Sequence, residues 1–183
     1  MLRAMMLLVV AIFALSAAEP EKATGYHRSL LGDAPLLFDQ TGNRPPLRYL
    51  SYLSRQKYTI LYFGGSKCEP CKKLTPELIA WYNANGGGKG FEIILVGNDF
   101  NTDDIKAYMK SSGMPWLAFE KCEKFGKDDP HYEAIKAKYG SKYVPTLVLL
   151  DEHDVVVARS NDGDKYLGTD VVLKKYLELT KGK

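Results

Sequence analysis

The chain is 183 residues long, 45% hydrophobic and 26% charged, with 25 Lys and Arg against 22 Asp and Glu for a formal net charge of +3. That apolar content excludes a disordered chain, and lysines interspersed with acids, without a basic stripe, exclude nucleic acid as an expected partner. Three cysteines are too few for a disulfide-stapled miniprotein, and a chain of this length buries a core without such staples.

The chain opens MLRAMMLLVVAIFALSAA. Arg3 precedes an apolar run from Met5 to Leu15, shorter than the roughly 18 residues of a membrane span, and Ser16, Ala17 and Ala18 follow. This layout predicts a secretory signal segment over residues 1–18 cleaved after Ala18, with a retained anchor as the alternative. Loss of Arg3 takes the formal charge from +3 to +2. Export to a periplasm or to the exterior places the thiols where disulfides persist. Residues 19–35 read as a polar lead-in and 36–183 as one domain, expected to be a monomer.

Along the domain, PLLFDQTGNRPPL (35–47) predicts a short strand, a turn at Thr41–Gly42–Asn43 and an extended Pro45–Pro46 connection. Leucines at 47, 50 and 53 predict a helix over 47–56. The β-rich run 58–64, closed by Gly64–Gly65, predicts a buried central strand. A helix follows from Glu69 to about Asn83, with Leu74, Leu78, Trp81 and Tyr82 on or near one face, and the glycines of 86–90 end it. Residues 91–99 predict a second buried strand, and 102–112 a helix capped by Asn101 or Thr102. A helix over 130–140 starts near Pro130 and stops at Gly140. Two strands, 145–152 and 154–160, flank a tight turn at His153, and 170–180 forms the last helix. Strands alternating with helices predict an α/β fold with a central mixed β-sheet flanked by helices on both faces.

Two of the three cysteines, Cys68 and Cys71, stand in KCEPCKK at the junction of a predicted strand and helix. A thiolate there faces unpaired N–H groups and the positive end of the helix dipole, which favour the anion. Lys67, Lys72 and Lys73 act in the same direction and Glu69 against it, so Cys68 is expected to have a thiol pKa below the free value of about 8.5. The spacing suits a dithiol in which Cys68 attacks a substrate disulfide and the more buried Cys71 resolves the mixed disulfide. Pro70 restricts the loop and removes an N–H that the first helical turn leaves orphaned.

Two other uses of the spacing compete. A zinc site needs two more ligands, and only Cys122, His27, His131 and His153 remain, with no second pair at ligand spacing. A structural disulfide would close a very small loop, where cross-linking stabilises least in the chain-entropy model. The redox dithiol is the favoured reading, with no metal and no cofactor expected. Cys122 reads as an inert thiol or as a third partner for exchange. GGGKG (86–90) lacks the spacing and ending of a phosphate loop, and NDGD (161–164) is turn-forming without completing a calcium loop.

Strand–CxxC–helix followed by Val144–Pro145–Thr146 at the start of a strand resembles the thioredoxin superfamily, and Pro76 matches the proline that kinks its active-site helix. LYFGGSKCEPCKKLTPELIAWYN, FEIILVGND, YMKSSGMPWLAF and KYGSKYVPTLVLLDEHDVVV are similar to tryparedoxins and nucleoredoxins, with related exported bacterial proteins, over roughly residues 29–180. The resemblance implies a thioredoxin-like fold and a thiol–disulfide oxidoreductase that reduces or isomerises protein disulfides. It implies Cys68 as nucleophile, Cys71 as resolving thiol, and Pro145 as a cis-proline facing the pair. Val144 would offer its backbone for strand-like pairing with substrate; Trp81 and Trp116 read as core residues, with Trp116, in its Met-Pro-Trp context, also a candidate to line the groove. The implied partners are a protein or peptide disulfide and a thiol electron donor, for example a membrane redox relay.

The chain departs from the pattern in three places. Lys67 replaces the Trp that usually precedes the first cysteine and adds a charge beside the groove. Glu69–Pro70 stands where many relatives have Pro–Pro or Gly–Pro. Tyr62 occupies the place of a buried, proton-relaying acid, which leaves Glu120 or Glu123 as candidates for deprotonating Cys71. Two other functions stay open: a thioredoxin-fold module that holds a peptide at the Val144–Pro145 edge without turnover, and a carrier of soft metal such as Cu(I) or zinc on Cys68 and Cys71.

Overall fold

The computed structural model describes residues 30, 37–121 and 129–181. The signal segment, all of the lead-in but Leu30, Cys122 and Glu123 lie outside the described residues. Six strands form one mixed sheet in the order β1-β4-β3-β2-β5-β6: β1 Leu37–Phe38, β2 Tyr58–Gly64, β3 Phe91–Gly97, β4 Leu117–Phe119, β5 Thr146–Leu150 and β6 Val156–Arg159. The central strand β2 runs parallel to β3, in register from Tyr58↔Phe91 to Gly64↔Gly97, and antiparallel to β5.

Every residue of β2, β3 and β5 is buried, because helices cover both faces of the sheet. Alternation along β2 sends Ile60 and Tyr62 to one core and Leu61 and Phe63 to the other. The first core is closed by α2 (Glu69–Ala84), α3 (Thr102–Ser112) and α5 (Thr169–Thr180), through Leu78, Tyr82, Ile105, Met109, Val172 and Tyr176. The second is closed by α1 (Leu47–Leu53) and α4 (Pro130–Tyr139), through Leu53, Tyr132, Ile135 and Tyr139. This is the predicted mixed sheet with helices on both faces.

The local signals act as expected at several ends. Asn101 caps α3 by accepting the Asp104 N–H at 2.9 Å, and Gly113 closes that helix at φ 67°. Asp129 caps α4 by accepting the N–H groups of His131 and Tyr132. At the other end of α4, Arg159 donates to the carbonyls of Tyr139 and Gly140. Helix α1 ends three residues earlier than its pattern predicts, and Leu47, counted on its apolar face, is 81% exposed.

Two elements escape the sequence reading. Strand β4 is three residues long, too short to show a period, yet it joins β1 to β3 and widens the sheet. NDGDKY forms a second, two-stranded sheet, β7 (Asn161–Asp162) with β8 (Lys165–Tyr166), around a two-residue turn with Gly163 at φ 55°. Among the described residues no helix is long and apolar enough to cross a membrane.

Candidate active site

Strand β2 ends at Gly64–Gly65, where neighbouring atoms approach both glycines closely. A Cβ on Gly64 would fall 2.7 Å from the Tyr62 ring, and one on Gly65 would lie 3.3 Å from Asp99 Oδ1 and from the Asn98 carbonyl carbon. The loop is tied down by Asp99, whose Oδ1 accepts the Ser66 N–H at 2.8 Å and the Ser66 hydroxyl at 2.6 Å. Lys121 in turn donates to the Asp99 carbonyl at 2.6 Å.

Cys68 follows as the N-cap of α2, with an extended backbone, and its sulfur accepts the Cys71 N–H at 3.2 Å. Pro70 fills a first-turn position whose N–H has no helical partner. The two cysteines are joined as a disulfide, with Cα atoms 5.2 Å apart. Cys68 is half-buried and Cys71 has no exposed surface, the asymmetry expected of an attacking and a resolving sulfur. Helix α2 continues through Pro76 to Ala84.

The loop before β5 faces the pair. The Val144–Pro145 peptide is cis, as the resemblance implies, and the Val144 carbonyl oxygen lies 3.7 Å from Cys68 Sγ. Pro145 is buried and Val144 half-buried, while the β5 ladder starts one residue later, at Thr146. Cys68 opens into a cleft of roughly 420 Å³ bordered by Lys67, Asn98 and Val144. Lys67 is exposed and makes no ion pair among the described residues, so its charge stands at the mouth of that cleft. Glu69 is engaged by Lys72 at 2.7 Å, and this contact holds its carboxyl below the usual carboxylate range.

Below Cys71 lies a chain of hydroxyl groups. The Cys71 carbonyl accepts from Thr75 Oγ1 at 2.8 Å and from the Tyr62 hydroxyl at 3.3 Å, and Thr75 Oγ1 also meets the Tyr108 hydroxyl at 2.8 Å. Burial pushes the Tyr62 hydroxyl well above the ordinary phenol value, so it stays protonated as a donor at neutral pH. Glu120, one of the two carboxylates suggested for proton transfer, follows β4, two strands from β2, and is held by Arg44 at 2.5 Å. Among the described residues, the side chains that donate to the Cys71 carbonyl are hydroxyls.

Trp116 does not line the groove. It is 1% exposed, packed edge-on against Tyr62 and Tyr82 with ring centroids 6.5 and 5.5 Å away, and its apolar bulk completes the first core. The structure brings together Lys67, Cys68, Cys71, Val144 and Pro145, and adds Asn98 and Asp99, which the sequence reading had left inside a strand prediction. The signal available for them was the polar Asn98–Asp99 pair just past the apolar run. Among the described residues no group of three His, Cys, Asp or Glu side chains is placed to hold a metal ion.

The model of the thioredoxin-like family matches residues 56–156, the stretch that carries β2, the cysteine pair, β3 and Val144–Pro145. The chain belongs to the thioredoxin-like family. It is 35% identical over 100 residues to nucleoredoxin of Bos taurus, a match covering 54% of this chain and 21% of that protein. It is 34% identical over 95 residues to tryparedoxin of Trypanosoma brucei brucei, covering 52% of this chain and 61% of that one. The matched segment thus spans about a fifth of the nucleoredoxin. A solved tryparedoxin II in complex with glutathionylspermidine superimposes with a TM-score of 0.61 at 23% identity, over 85% of this chain and 96% of that one, a likeness of fold. Within the matched stretch this chain carries Cys68 and Cys71, joined as a disulfide.

Proposed function

We propose that this chain is an exported thiol–disulfide oxidoreductase that reduces or isomerises protein disulfides through Cys68 and Cys71. The observation that carries the reading is a half-buried sulfur at a helix N-terminus, bonded to a fully buried one and facing the Val144 carbonyl. In the reduced enzyme the Cys68 thiolate attacks one sulfur of the substrate disulfide, a new S–S bond forms, and the other substrate sulfur leaves and takes up a proton. Cys71, losing its proton, then attacks Cys68 Sγ, and the second substrate sulfur leaves as a thiol. One substrate disulfide becomes two thiols while the Cys68–Cys71 dithiol becomes the disulfide, a two-electron exchange. A thiol donor, such as a membrane redox relay, returns the pair to the dithiol. The helix N-terminus and the Cys71 N–H at Cys68 Sγ both favour the thiolate that this sequence of steps needs. Export rests on the Arg3-to-Ala18 pattern alone.

The test is reduction of insulin by dithiothreitol with and without the chain. The wild type should accelerate it, Cys68→Ser should abolish the acceleration, and Cys71→Ser should accumulate a mixed disulfide visible by intact mass. A pair that never cycles between disulfide and dithiol would overturn the proposal. A reduction potential near about −270 mV assigns the reductase direction, and one near about −120 mV a disulfide donor.

A further inference from the structure

A second cleft, of roughly 440 Å³, adjoins the one over Cys68, and the two share Pro70 and Val144. Its walls are Pro70 and Leu74 from α2, Tyr143 and Pro145 from the loop before β5, and Tyr166 from β8. Tyr143 is 41% and Tyr166 55% exposed, and Lys142 Nζ lies 5.4 Å from the Tyr143 ring centroid, so Tyr166 offers the more open aromatic surface of a cleft that adjoins the one over Cys68. Lys73 and Glu77 also border the cleft, opposite in charge and without an ion pair among the described residues, so the border has no net sign. Selection there falls to shape and apolarity.

The walls are fixed in place. Ser160, with no exposed surface, gives its N–H to the Leu147 carbonyl at 3.0 Å and accepts the Leu147 N–H on its hydroxyl at 2.9 Å. Its carbonyl accepts the Leu167 N–H at 2.9 Å, which closes the root of the β7–β8 hairpin. Tyr166 is therefore referenced to β5 and through it to Pro145.

We infer that this chain selects polypeptide disulfides bearing a bulky apolar side chain beside the reacting cysteine, and that Tyr166 is the specificity-determining residue. The inference rests on the oxidoreductase reading. Once the mixed disulfide forms, the partner's cysteine is tied to Cys68 Sγ, and an extended segment advances about 3.3 Å per residue with side chains alternating in direction. A neighbouring side chain thereby reaches the cleft that begins at Pro70 and Val144. A small thiol such as glutathione carries no apolar side chain to place there, whereas a polypeptide with Phe, Leu or Met does.

The experiment compares three disulfides as substrates of the full chain, with dithiothreitol as reductant. Two are disulfide-linked peptides identical but for Phe or Ser next to the cysteine, and the third is glutathione disulfide. The Phe peptide should exceed the Ser peptide in kcat/KM by roughly ten-fold or more. Tyr166→Ser should bring the ratio to within about two-fold, and Tyr143→Ser, on another wall, should shift it the same way. Circular dichroism checks that both variants are folded. Equal rates for the two peptides, or a ratio that survives both variants, overturn the inference while leaving the oxidoreductase reading intact. Turnover of none of the three disulfides overturns both.

Discussion

Asp99 holds Ser66 twice through a single carboxylate oxygen, taking both its backbone N–H and its hydroxyl, two residues ahead of Cys68. The carboxylate is nine-tenths buried or more, at 4% residue exposure, so water is a poor substitute for it. Asp99→Ala should cost about 1–3 kcal/mol by stranding the Ser66 N–H, and should lower the insulin-reduction rate by loosening the turn that sets the Cys68 position. Asp99→Asn, which keeps an acceptor at Oδ1, should lose less of both. Urea midpoints and initial rates on the same preparations check this, and equal losses in the two variants would sink it.

The exposure difference between the two sulfurs predicts selective labelling. In the reduced protein at pH 7, iodoacetamide should modify Cys68 roughly tenfold faster than Cys71, because Cys68 is half-buried at the helix N-terminus and Cys71 has no exposed surface. Peptide mapping by mass spectrometry after brief exposure gives the ratio. Equal labelling would contradict the assignment of attacking and resolving sulfurs.

Glu92 lies away from the cysteines, at the start of β3, with no exposed surface. Tyr49 and Tyr82 each donate to one of its carboxylate oxygens at 2.7 Å, and the Ile93 N–H adds a third bond. Burial nevertheless raises its pKa above the ordinary 4.5. The folded chain then holds the proton more tightly than the unfolded one, so stability should fall as pH rises from about 4.5 through the raised value and level off beyond it. Glu92→Gln should remove that slope. Urea midpoints of both proteins between pH 4 and 8 decide it, since parallel curves would contradict the assignment.

Gly64→Ala should destabilise by about 1–3 kcal/mol, because its Cβ would fall 2.7 Å from the Tyr62 ring in the fully packed central strand. An unchanged urea midpoint would show that Tyr62 can yield, and with it the hydroxyl chain at Cys71.

Features set by local chemistry were legible in the residues themselves. The run from Tyr58 ends at two glycines, Gly64 and Gly65, and Pro130, Gly140 and the capping side chain of Asn101 mark helix ends. The cysteine pair was legible because CxxC at a strand–helix junction has few uses. What depended on layering was not. Trp116 beside Met114 and Pro115 gives no sign of which way its ring faces, and only the packing of Tyr62 and Tyr82 puts it inside. Asp99 bonds a residue 33 positions earlier, and Tyr166 reaches the cleft only because Ser160 anchors the hairpin to β5. Such relationships are properties of the assembled sheet and have no local signature.

The β7–β8 hairpin is a sheet of its own, separate from the six-stranded sheet whose central strand leads into the cysteine loop. Its tip can therefore lengthen, shorten or change composition during divergence without disturbing Cys68 and Cys71, as a tool head is changed on a fixed handle. A lineage could broaden or narrow what it recognises through a few codons around Gly163, and an engineer could graft a foreign hairpin between Ser160 and Leu167 to redirect the same sulfur chemistry.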